Sequence, residues 1–222
     1  RGRSVKTRRV YEHYLTVFFR HARIARVTDI TEERIKDFRL YLARAGLQKS
    51  SQSYYVVAIR TFLKYLSRRN EPVVHADRIE LLKVPARHIA VLERQELERL
   101  LQAPDVQTLR GLRDKALLEM LFSTGMRLSE VCSLDRFMDL KKSELTVRGK
   151  GDKVRIVFLS AASRAALADY MNARADALEP LFVSLLRGRV IGRISHRAVE
   201  RLVGRYARHA GIVGKKVTPH SI

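Results

Sequence analysis

Apolar positions recur at the helical period through the first third of the chain. Val10, Tyr11, Tyr14, Leu15, Phe18 and Phe19 form one stripe. Ile35, Phe38, Tyr41 and Leu42 form a second, with Thr31 placed as its N-cap and Gly46 as its stop. Tyr54, Ala58, Thr61, Phe62, Tyr65 and Leu66 form a third, opened by Ser50 or Ser51. Its opposite face carries Arg60, Lys64 and Arg68, one turn apart. These stripes predict a small all-helical bundle over residues 1–71, whose aromatics are core rather than base-stacking platforms. The periodicity weakens over residues 72–90, where Pro72 and Pro85 stand among Lys83, Arg87 and His88. That segment reads as a basic interdomain linker able to follow a phosphate backbone, with a short buried packing segment as the other reading.

A second domain is expected over residues 91–222. Glu93 to Gln102 is amphipathic, with Leu97, Leu100 and Leu101 inward and Pro104 closing it. Leu109, Leu112, Ala116, Leu117, Met120 and Leu121 then predict a helix buried along one face. Thr124-Gly125 stops it, because glycine enters a left-handed turn without a Cβ penalty. A new helix follows, with Arg127 in its first turn. Open backbone N–H groups and a permanent guanidinium would share one spot there, which suits a phosphate. The plain alternative is a solvated or salt-bridged arginine between two core helices.

After Asp139 the period changes to two. Residues 144–148 and 153–158 alternate, with Gly149-Lys150-Gly151-Asp152 between them, so a β-hairpin is expected with Lys150 at its tip. The glycines lack the spacing and context of a phosphate-binding P-loop. Residues 163–172 are helical, and Leu181-Phe182-Val183 is a short apolar run with strand character. Ser195 caps a last helix through Val199, Leu202, Val203, Tyr206 and Ala207, ended by Gly211. His196 and Arg197 at its start could meet a groove or a phosphate. The fold class is therefore mainly α with a small β-sheet, the first domain helical and the second mixed α/β.

Charge then selects the partner. Of 222 residues, 44 are Lys or Arg and 23 are Asp or Glu, a net charge of +21. The excess is shared almost evenly between residues 1–85 and 86–222, which suggests a polyanion gripped by two basic domains. Nucleic acid is the first candidate and an anionic membrane the second; no apolar run could span a bilayer and no secretory signal pattern opens the chain. A single cysteine, Cys132, sits among apolar neighbours and reads as core. A reducing cytoplasm fits. The seven histidines show no metal-ligand spacing, so no metal or other cofactor is expected.

Taken together, LRDKALLEMLFSTGMRLSEVCSL, the VRGKGDKVRIVFL hairpin and the terminal VTPHSI resemble the tyrosine recombinases of the Xer and phage-integrase type. The resemblance spans nearly the whole chain: a helical, SAM-like core-binding domain followed by most of a catalytic domain. It implies that Arg127, Lys150 and His220 are active-site residues and that Glu130 supports them. It implies a tyrosine nucleophile, a 3′-phosphotyrosyl intermediate and no metal or ATP. The family's second arginine would follow Ile222, and Tyr206 is no substitute for the nucleophile, so residues 1–222 are expected to bind DNA without cutting it. The resemblance also implies a clamp on duplex DNA carrying inverted-repeat half-sites, and tetramers on two sites. Lys49, Ser51, Arg60, Lys64, Arg87, Ser195, His196 and Arg197 are the candidate DNA contacts. Rival readings are a non-catalytic DNA-binding relative, a basic RNA-binding helical protein and, within recombinases, a mobile-element integrase rather than a Xer resolvase.

Overall fold

The computed structural model describes residues 5–83, 91–139, 142–149 and 154–222. The chain divides into two units, residues 1–87 and 88–222, each with its own apolar core.

The first unit packs helices α1 (Val5–Ala22), α2 (Glu32–Arg44) and α3 (Lys49–Ser67) around Phe18, Ile35, Phe38, Val56, Ile59 and Leu63. Thr31 caps α2 as its sequence position suggests: the hydroxyl accepts from the Arg34 N–H at 3.3 Å. The third stripe holds in part: Ala58 and Leu66 are buried and Phe62 packs against the core. Tyr54 and Tyr65 are exposed, and Gln52, Val56, Ile59, Leu63 and Leu66 turn inward. The 56–59–63–66 series keeps a continuous aliphatic seam, whereas the two tyrosines flank it; Tyr65 instead lies under the Arg69 guanidinium at 4.7 Å. Neither Ser50 nor Ser51 caps α3, whose N-cap is Gln48 without a side-chain bond. Val10 and Tyr41 also face solvent, and Tyr41 stacks on His21 with ring centroids 4.0 Å apart.

The segment expected to be linker is partly core. Ala76 and Ile79 are buried in the helical unit, with Val73 and Val74 packed beside them, around a 3₁₀ turn at Ala76–Arg78. Arg60 straps it to α3, donating to the Ile79 carbonyl at 2.6 Å and to Asp77 at 3.0 Å. A guanidinium bridging a carbonyl and a carboxylate holds the loop where sequence periodicity gives no sign of it.

The second unit is built around α5 (Leu109–Thr124), against which α4 (Arg94–Gln102), α6 (Leu128–Ser133) and α7 (Ala161–Ala173) pack. Strands β1 (Glu144–Arg148) and β2 (Val154–Phe158) form the expected antiparallel hairpin, Val147 opposite Arg155. A second hairpin, β3 (Val183–Leu186) with β4 (Arg189–Arg193), makes two small sheets rather than one. Its turn residues Arg187 and Gly188 have φ of 48° and 79°, the positive pair a two-residue hairpin needs. Leu181 and Phe182 lie before that strand, fully buried. Helix α8 (His196–His209) buries Val199, Leu202, Val203, Tyr206 and Ala207, the full expected stripe, and Ser195 accepts from the Ala198 N–H at 3.2 Å.

Helix α5 is not half-buried as expected but buried almost all round. Arg113, Asp114 and Glu119 share the interior with Leu117, Leu118 and Met120. Helical periodicity cannot show this, because these charged positions look solvent-facing until their partners are known. Asp114, with no exposed surface, accepts from Arg113, from Arg205 at 3.0 Å and from the Tyr206 hydroxyl at 2.9 Å. Replacing Asp114 by alanine leaves Arg113 buried without its anion, a loss of about 3–5 kcal/mol. Tyr206→Phe removes one bond to a charged acceptor, about 1.5–3 kcal/mol. Urea unfolding should rank the two variants in that order, and equal stability of Asp114→Ala and the parent would contradict the assignment.

Candidate phosphate-binding site

The end of α5 sets the geometry. Gly125 takes φ of +56° and closes the helix with its N–H on the Leu121 carbonyl at 3.0 Å. Met126 is buried, which anchors the turn, and Arg127 follows as the N-cap of α6 rather than inside its first turn. The expected open N–H at this residue is already satisfied: it donates to Glu130 Oε2 at 2.8 Å. The affinity of the spot for an anion therefore rests on the side chain. Arg127 Nη1 donates to Glu130 Oε1 at 3.1 Å, and its side chain remains 56% exposed.

Glu130 is buried at 7% exposure and lies under a second arginine. Arg155 donates through Nη1 to Oε1 at 3.0 Å and through Nη2 to Oε2 at 2.7 Å, a bidentate pair. The Arg155 bonds, aided by those of Arg127, outweigh burial and hold the Glu130 carboxyl down at about 2. One carboxylate against two guanidinium groups leaves the cluster with net positive charge, half-open to solvent through Arg127.

Arg155 was not among the sequence candidates. The strand period gives no signal for it: Val154, Ile156 and Phe158 make the apolar face by sequence yet are exposed, while Arg155 shares the inward face of β2 with Val157.

The remaining candidates fall into three groups. Lys150 and Arg87 lie outside the described residues. His220 is exposed in a 3₁₀ turn, Pro219–Ser221, whose neighbour Val217 is buried; no hydrogen bond or ion pair joins it to Arg127 or Glu130 among the described residues. On α6 and α8, Ser129, Ser133, Ser195, His196 and Arg197 line a common open cleft of about 490 Å³. Of these, the Ser195 hydroxyl is occupied as a cap, while His196 and Arg197 are exposed. On α3, Lys49 is exposed at the first turn and Ser51 is half-buried. Arg60 and Lys64 instead pair with Asp77 at 3.0 and 3.4 Å. Cys132 is buried, and burial pushes its thiol up to about 11, so it is an inert core residue. No described helix is long and apolar enough to cross a membrane.

Both units of the chain have known counterparts. Residues 90–222 match the phage integrase family, and residues 1–70 match the SAM-like N-terminal domain of phage integrases. The chain is a member of that family, the tyrosine recombinases. It is 35% identical over 185 residues to tyrosine recombinase XerC of Myxococcus xanthus, covering 78% of this chain and 60% of that protein. It is 31% identical over 235 residues to XerC of Thermodesulfovibrio yellowstonii, covering 100% of this chain and 75% of that protein. The chain thus spans about three fifths to three quarters of the curated relatives it matches. Among solved structures, a lambda integrase dimer bound to a COC′ core site shares the fold with a TM-score of 0.75 at 18% identity, covering 99% of this chain and 80% of that one. XerH bound to palindromic difH substrate aligns with a TM-score of 0.64 at 21% identity, covering 95% of this chain and 62% of that one.

The depressed carboxyl gives a pH prediction. The Glu130 contribution to stability is complete above its ordinary value of 4.5 and is lost as pH falls towards about 2. Glu130→Gln should therefore flatten the acid limb of stability between those values. An acid limb identical in parent and variant would remove the buried-carboxylate assignment.

Proposed function

We propose that this chain carries the DNA-binding and phosphate-activating parts of a Xer-type site-specific tyrosine recombinase. The observation that carries the reading is Arg127, half-exposed and fixed from beneath by a buried carboxylate. An oriented permanent cation is what a phosphodiester needs as charge develops on its non-bridging oxygens. In this reaction a tyrosine hydroxyl attacks the phosphorus and the bond to the 5′-oxygen breaks. The departing oxygen takes a proton and leaves as a 5′-hydroxyl, and a 3′-phosphotyrosyl link remains. Lys150 is the proton donor to the leaving oxygen, and His220 assists proton transfer or donates to a phosphate oxygen. Attack by a partner strand's 5′-hydroxyl reverses the step, so the phosphotyrosyl bond conserves the energy and no ATP or metal is required.

The nucleophile is not among the tyrosines of the second unit. Tyr170 is fully buried with its oxygen accepting from the Val183 N–H, and the Tyr206 hydroxyl is spent on Asp114. In this reading residues 1–222 on their own bind duplex DNA without cleaving it. A covalent adduct between this chain and a nicked duplex, seen on a denaturing gel, would overturn that statement.

The partner is duplex DNA with inverted-repeat half-sites, bound in the cytoplasm by an assembly that reaches a tetramer on two sites. The net charge of +21 supports a polyanion, and the relatives named XerC favour a Xer-type recombinase over a mobile-element integrase. In a protein that joins this chain to the nucleophilic tyrosine, Arg127→Ala should slow adduct formation by roughly 10²–10³-fold, with half-site affinity within a few-fold of the parent. A matching loss of affinity for the repeat would make Arg127 a general DNA contact instead. Retention of an inverted-repeat duplex over a scrambled one as salt is raised separates site recognition from non-specific or RNA binding.

A further inference from the structure

We propose that Arg155 is a positioning residue for Arg127, acting through Glu130, and that Gly149 is glycine because the hairpin closes directly over this three-residue bridge. The inference rests on the functional reading above and adds to it the part that sets the arginine's orientation.

Each Glu130 oxygen is shared between two residues. Oε1 accepts from Arg127 Nη1 at 3.1 Å and Arg155 Nη1 at 3.0 Å, and Oε2 accepts from the Arg127 N–H at 2.8 Å and Arg155 Nη2 at 2.7 Å. Arg155 takes the shorter, bidentate share, so Arg127 keeps a single side-chain bond to the carboxylate. Remove Arg155 and the buried anion has one cation left. Arg127 would then be drawn into a full two-bond pair and turned away from an outside phosphate. Arg155 thus leaves Arg127 oriented but not consumed.

The hairpin supplies the lid. A Cβ placed on Gly149 would stand 3.0 Å from Arg155 Nη1, 3.1 Å from Glu130 Oε1 and 3.4 Å from Arg127 Nη1. Gly149 has no left-handed φ to explain it, so space is its reason. A side chain here would meet all three members of the bridge, and the next residue in the chain is Lys150. One carboxylate therefore joins the arginine at the start of α6 to Arg155 of strand β2, close beside Gly149. The sequence distance is large and the bridge short: Glu130 and Arg155 are 25 residues apart.

Arg155 could instead touch DNA phosphate itself, since it is partly exposed, and a double-mutant cycle separates the two roles. The measured quantities are half-site affinity and single-turnover adduct formation, in a protein carrying this chain and the nucleophilic tyrosine. Arg155→Lys, which keeps the charge but loses the fork, should leave affinity within about threefold and slow the chemical step by roughly 10–100-fold, as loss of an orienting partner does elsewhere. Gly149→Ala should do the same. Arg155→Ala placed on Glu130→Gln should add nothing further. Full additivity of the two losses, or a parent-like rate for Arg155→Lys, overturns the proposal.

A second readout needs no catalysis. In residues 1–222, nitrogen-15 NMR of the Arg127 guanidinium should give a slowly exchanging Nη signal that changes position and exchange rate in Arg155→Lys and Gly149→Ala. Unchanged Arg127 signals in both folded variants overturn the inference even if the parent proves not to be a recombinase. Changed signals, together with no adduct in the protein that joins this chain to the nucleophilic tyrosine, uphold the bridge and refute the functional reading instead.

Discussion

The Glu130 carboxylate is the contact on which the site depends. Buried at 7% exposure, it would be costly as an isolated anion, and two arginines make it affordable to the fold only by giving it four hydrogen bonds. What results is an inversion of the usual roles. The acid is the fixed element and the arginines are arranged around it, so the exposed Arg127 guanidinium takes its direction from a buried residue. In a chain of net charge +21 this is also how positive charge is kept from repelling itself at close range.

The same device recurs away from the site. Asp114 gathers Arg113, Arg205 and Tyr206 and thereby ties α5 to α8. Asp77 gathers Arg60 and Lys64 and ties the 3₁₀ turn to α3. The two differ in depth, and depth decides their worth. Asp114 has no exposed surface, so its bonds act in a low-dielectric interior where a missing partner is expensive. The Asp77 side chain is 60% exposed, so its ion pairs contribute little beyond the position they mark. A scarce acidic residue thus serves as an organising node only where burial removes water as a competitor.

The helices were legible because their ends carry chemistry as well as period. Thr31, Ser195 and Gly125 mark termini by what their side chains or backbone can do, and all three sit where such groups are needed. The α8 stripe was complete because one strongly amphipathic face leaves no choice of rotation. On helix α3 the stripe departs from the period at the tyrosines, which count as apolar, yet their hydroxyls favour the margin, where Tyr54 and Tyr65 lie. The charged residues of α5 and the inward Arg155 were hidden for one common reason. Arg113 pairs with its neighbour Asp114 and Glu119 with Lys115, but the partners that bury Asp114 and Arg155 lie 25 to 92 residues away, beyond any local window. Arg127 could be picked out as a residue, but not that its backbone N–H is already bonded to Glu130.

That last difference alters how the site should work. A free helix N-terminus would attract any anion by its dipole, in the ground state as much as in the transition state, and such uniform binding does not speed a reaction. At Arg127 the backbone donor is withdrawn into Glu130, and only the guanidinium remains free to meet an anion. Under the proposed function, its direction is set before a phosphodiester arrives, so little reorganisation is left for the moment when charge builds on phosphorus. Arg155 and Gly149 maintain that state from the hairpin side, the first by sharing the carboxylate and the second by the space it leaves. The short helix α6 therefore matters less as an anion-binding end than as a rigid three-residue spacing that places Glu130 beneath the arginine it holds.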